Sequence, residues 1–193
     1  MKNMKVLVGV NVLLVVIGSI SQLYALVVTD DQLLVIASLI NLIALLYVIL
    51  YAIGRYRKSS SYSYKAFLYL FSIAELASIG RFIVNSTSIG PNYESLVAVK
   101  PYIGVITEIL CVIVPSFCLV AIVLLATNKN LGKKTSMTLG YLITILYAVC
   151  FVLSFFINEP IFTSILFGKF VLALVTLLMV FAKYRDKDER GAV

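Results

Sequence analysis

The chain reads as an all-α integral membrane protein, a bundle of six transmembrane helices with the N- and C-termini both on the cytoplasmic side. Three observations predict this. Of its 193 residues 62% are apolar and 13% charged, and the mean hydropathy is +1.05; a soluble domain is typically nearer half apolar and a quarter charged. Six apolar runs are long enough to cross hydrocarbon at roughly 20 residues each. Basic residues, which concentrate in cytoplasmic loops, gather on one side of those runs.

The six spans fall at 6–28, 33–53, 66–84, 102–126, 138–157 and 161–182 of a single polytopic domain, 1–193, followed by a charged cytoplasmic tail at 183–193. Lys2 and Lys5 before an apolar stretch match the start of a secretory signal, but the stretch runs on to Val28. Around Leu23-Tyr24-Ala25 it also lacks small residues at both cleavage-determining positions, so a retained first helix is expected. Connections at 29–32 and 158–160 have room only for tight hairpins, which makes helices one and two, and five and six, antiparallel neighbours. The loops at 54–65 and 127–137 are polar and basic. Only the loop at 85–101 is long; Gly90-Pro91 marks a turn in it and Tyr93 to Val99 can form a short interfacial helix. The tail is expected to be a short, mobile end.

Lys2, Lys5, Arg55, Arg57, Lys58, Lys65, Lys129, Lys133, Lys134, Lys183, Arg185, Lys187 and Arg190 lie on one side, and only Lys100 lies in a loop on the other. The formal charge of +7 is therefore a topology signal, and nucleic-acid binding is the poorer explanation for it. The expected location is the plasma or cytoplasmic membrane, with membrane lipid as the surrounding partner. The chain has no histidine, which excludes Ser-His and Cys-His catalysis, His-ligated haem and His-containing zinc sites. Cys111, Cys118 and Cys150 all lie inside apolar runs and are expected to be buried free thiols. No catalytic motif, cofactor or metal site is read from the sequence.

A polar residue facing lipid is costly, so polar residues in a span should gather on one helical stripe. Helix one aligns Asn11, Gly18, Gln22 and Ala25; helix two aligns Ala37, Asn41, Ala44 and Ala52; helix six aligns Lys169, Ala173 and Thr176. In helix three, Ala74, Glu75, Ser78, Arg81 and Asn85 share an arc of roughly 120°, and in helix four Gly104, Glu108, Cys111, Pro115 and Cys118 share roughly 100°. Depth along the spans puts Glu75, Asn41 and Lys169 near the midplane, with Glu75 and Lys169 as partners. Arg81 and Glu108 lie at a comparable outer level and form a second candidate pair. Helix three carries ten strongly apolar residues, worth roughly −3 to −6 kcal/mol on insertion, against roughly +2.5 to +3.5 kcal/mol for each central charge, so its charges need partners.

Intramembrane charges mark solute or proton pathways more often than they serve packing alone. The favoured reading is thus a small-solute binding or transport component with an outward polar chamber lined by Gln22, Asn41, Glu75, Ser78, Arg81, Glu108 and Lys169. The competing reading is a non-enzymatic accessory, sensor or immunity-type membrane protein, whose buried charges lock the helices while the basic cytoplasmic loops dock a protein partner. A third and weaker reading is an intramembrane hydrolase with Lys169 as base and Ser164 or Ser78 as nucleophile.

Overall fold

The computed structural model describes residues 2–28, 32–56, 63–84, 93–128 and 130–191; of residues 2–8, 33, 55–56 and 185–191 only the backbone is described. Residues 29–31, 57–62 and 85–92 fall outside that set, and with them most of the basic loop 54–65, the Gly90-Pro91 turn and Asn85 of the third stripe. The described residues are overwhelmingly helical, with no strand among them. Helices α1 (Lys2–Val28), α2 (Gln32–Tyr56) and α3 (Tyr64–Val84) are followed by the short α4 (Tyr93–Val99). Next come α5 (Pro101–Glu108), a π-helix (Ile109–Ile113) and α6 (Val114–Thr127), and then α7 (Lys133–Ser154) and α8 (Pro160–Gly191). Six helical segments are long and apolar enough to span a membrane, with α5, the π-helix and α6 forming the fourth.

These segments pack in a ring, α1 on α2, α2 on α3, α3 on α6, α6 on α7, α7 on α8 and α8 back on α1. Helix α8 also reaches inward to α2 and α3. It is the central helix: 67% of its spanning segment is buried, against no more than 39% in any other. On the outside, Leu13, Ile20, Ile43, Leu76, Ile83, Phe117, Ile145 and Phe156 are among many large apolar side chains left exposed. Open apolar faces on this scale suggest a membrane protein, because water would drive them together.

Three boundaries differ from the sequence reading, each for a local reason. Hydropathy marks the apolar part of a helix, and a helix can continue past it into polar sequence. So α7 begins at Lys133, where Ser136 N–H donates to Gly132 O at 3.0 Å and Thr138 Oγ1 to Lys134 O at 3.0 Å. The expected loop 127–137 shrinks accordingly. Likewise the backbone of α8 runs on to Gly191, so the helix continues into the charged tail. At the other end of α7 the helix stops at Ser154, and a turn closes through Phe156 N–H to Leu153 O and Ile157 N–H to Ser154 O, both 3.1 Å. Asn158 takes the left-handed conformation (φ 57°) that commonly ends helices, and Pro160 starts α8 with the φ a first helical position requires.

Helix α1 approaches α8 closely at two glycines. A Cβ on Gly18 would stand 2.9 Å from Val171 Cγ1, and one on Gly168 would stand 1.8 Å from Gln22 Nε2. Gly168 is therefore the seat of the Gln22 amide. Gly168→Ala is expected to destabilise the protein by about 1–3 kcal/mol by overpacking that contact. Adding Gln22→Ala should recover most of the loss, and the coupling is read as a non-additive double-mutant cycle in detergent melting; additive effects would refute the contact.

Candidate functional site

The polar stripes of α1, α2, α3 and α8 are buried as the helical spacing predicts: Asn11, Gln22, Asn41, Glu75, Arg81, Lys169 and Thr176 all lie inside. The deepest feature is an ion pair. Lys169 Nζ on α8 lies 2.9 Å from Glu75 Oε2 on α3, both almost wholly buried. The same Oε2 accepts a hydrogen bond from Tyr147 Oη on α7 at 2.5 Å, and the Lys169 ammonium lies 5.9 Å from the centre of the Tyr147 ring. Three helices thus meet on one carboxylate oxygen, while Oε1 makes no hydrogen bond within the protein. A buried carboxylate without a cation would be strongly disfavoured, so this contact constrains how α3, α7 and α8 face each other.

Toward the outer side of the pair, α2, α3, the π-helix and α8 enclose a cavity with about 20 Å³ open to water, room for one or two water molecules. Asn41 and Ser38 from α2, Ser78 and Arg81 from α3, Cys111 from the π-helix and Lys169 from α8 line it. Asn41 is fully buried, and neither its Oδ1 nor its Nδ2 makes a hydrogen bond; the buried Ser38 Oγ is also unbonded. Ser78 Oγ instead donates back to Ala74 O at 2.9 Å, the local bond that lets a hydroxyl sit inside an apolar helix. A second, larger cavity of about 500 Å³ is an apolar, open groove between Ile17 and Ile20 of α1, Phe151 of α7 and Phe167 of α8. The chemistry gathers in the smaller one.

Four of the seven predicted chamber residues, Asn41, Ser78, Arg81 and Lys169, share the small cavity, and Glu75 stands directly behind Lys169. Gln22 does not reach it: its amide packs on Gly168, and neither amide atom is hydrogen-bonded. Glu108 is exposed and does not line the cavity with Arg81, contrary to the expected second pair. The cause is the π-helix, confirmed by Val114 N–H donating to Ile109 O, five residues back. A π-turn inserts one extra residue and so shifts the register before it by one position, about 100° at the ideal helical turn. Ile103 and Thr107 are buried where straight helical spacing places Gly104 and Glu108, and the buried stripe steps by five from Leu110 to Pro115.

Two site residues were not anticipated from sequence. Tyr147 carried a signal, a hydroxyl in mid-span on the stripe of Ser136, Gly140, Ile143, Cys150 and Ser154, all buried. Ser38 lies one turn before Asn41 and so shares its face. The hydrolase reading gains no geometry: Ser21 Oγ bonds the backbone carbonyl of Ser164, Ser78 Oγ bonds its own helix, and Lys169 Nζ lies on Glu75.

The fold and site together define an all-helical protein with six potential membrane spans and a charged polar junction at its centre. The chain matches no family model, no curated protein and no solved structure.

Lys169→Met leaves Glu75 buried without its cation and is expected to cost about 3–5 kcal/mol of stability, whereas Glu75→Gln combined with Lys169→Met should melt close to the parent. Tyr147→Phe should cost about 1.5–3 kcal/mol, the loss of one hydrogen bond to a charged group. Unfolding of the purified variants in detergent checks all three, and a double variant as unstable as Lys169→Met would count against the pair.

Proposed function

We propose that the protein is a small-solute binding or transport component of a membrane, with the junction of α2, α3 and α8 as its solute site. The observation that carries this is Asn41: a fully buried amide with both polar atoms unbonded, opening on the same cavity as Arg81, Ser78 and Lys169. Leaving a buried polar group unsatisfied costs about 1–3 kcal/mol, so such a group gains from any partner that reaches it. Open hydrogen-bonding capacity beside cations suits an occupant that supplies the missing partners. The cavity admits water or a small ion; anything larger requires α2 or α3 to move away from α8, a shift to an open state that binding would favour.

The orientation that goes with this reading puts both termini and the basic connections on the cytoplasmic face of a plasma or cytoplasmic membrane, supported by the one-sided Lys and Arg distribution. The outer face then carries Arg81 and the cavity. A reporter active only in the cytoplasm should be active when fused to either end and inactive when inserted in the 85–92 loop.

A ligand that binds the native state raises its apparent stability with occupancy. Melting of the purified protein against small anions, cations and neutral metabolites should single out one chemical class. Asn41→Leu should abolish that response while melting at or above the wild-type temperature. If no solute shifts the wild type, the solute reading fails and the accessory reading, in which a protein partner acts at the basic loops, takes its place.

A further inference from the structure

Resting on that reading, the geometry points to a small monovalent anion as the solute. Among the described residues the cavity is lined by two cations, Arg81 and Lys169, and by no carboxylate. Glu75 lies on the other side of Lys169. An ammonium has three N–H donors; Lys169 gives one to Glu75 at 2.9 Å and makes no other hydrogen bond among the described residues. Its remaining N–H groups, the unbonded Asn41 amide and the unbonded Ser38 hydroxyl are donors on one small space. Arg81 also lines this space and is held by an interaction of its own. With room for one or two waters, the cavity suits an ion of halide, nitrate or formate size.

The test uses the full chain in detergent or nanodiscs, comparing sodium chloride, nitrate and formate with sodium gluconate at equal ionic strength. A small anion should raise the melting temperature and gluconate should not. Asn41→Leu should remove the anion response while leaving the protein folded. Equal melting in all salts, or an unchanged response in Asn41→Leu, would overturn the proposal. A neutral or cationic solute that stabilises the protein while no anion does would leave the solute-binding reading standing and remove this one; no stabilising solute at all would remove both.

Discussion

A carboxylate and an ammonium taken out of water have to find each other, and in this chain they lie on helices far apart in sequence. Glu75 on α3 and Lys169 on α8 meet at 2.9 Å in the interior, with Tyr147 on α7 bonded to the same oxygen. Hydrophobic burial alone would leave α3 free to rotate or slide against α8, since inside a membrane one apolar face is much like another. The charge pair removes that freedom. It also explains why α8 is central: it carries the one lysine whose head group must be surrounded, and its neighbours on the wheel, Leu172, Ala173, Val175 and Thr176, are buried with it.

Small residues then decide how closely the other helices can approach. Gly18 and Gly168 let α1 lie against α8, and Gly168 receives the Gln22 side chain in the space where any other residue would carry a Cβ. Ala37, Ala44 and Ala52 give α2 a comparably low face. The junction that results is mostly well bonded along its margins, where Thr144 Oγ1 reaches both Gly140 O and Ala173 O and Tyr184 Oη joins Ser136 to Leu131 O. Unbonded buried polar atoms remain at Asn41, Ser38 and Glu75 Oε1, and also away from the cavity at Gln22 and Ser19. Those of Asn41 and Ser38 belong to residues that line the cavity together with Arg81 and Lys169.

The π-helix bears on the same cavity. By adding one residue between Thr107 and Pro115 it turns Glu108 out and puts Thr107 and Leu110 on the buried stripe. It also precedes Pro115, which has no N–H to continue the ladder, so the backbone here is held by fewer helical bonds than elsewhere. π-Turns recur at functional sites, where they trade regular hydrogen bonding for the placement of a side chain. Here the consequence is a site whose walls come from α2, α3 and α8 with one irregular turn, and whose charge is set by Arg81, Lys169 and Glu75 without a contribution from Glu108.

The sequence by itself determined the all-helical class, the six segments long and apolar enough to span a membrane, and the buried stripes of α1, α2, α3 and α8. Each of these follows from short-range periodicity: apolar runs are read along the chain, and side chains three and four apart share a face. The Glu75–Lys169 contact was legible too, because a span tolerates a central charge only beside its opposite and depth leaves few partners. Only the tertiary structure decided the rest. The π-turn displaces Glu108, and a wheel drawn at a constant turn per residue carries no mark of it. Tyr147 and Ser38 enter the site because α7 and α2 arrive at particular rotations, and Gln22 leaves it because Gly168 offers a closer seat. Those choices arise from contacts between helices, which local sequence does not encode, and they separate a broad polar chamber from the small cation-lined cavity that the folded chain builds.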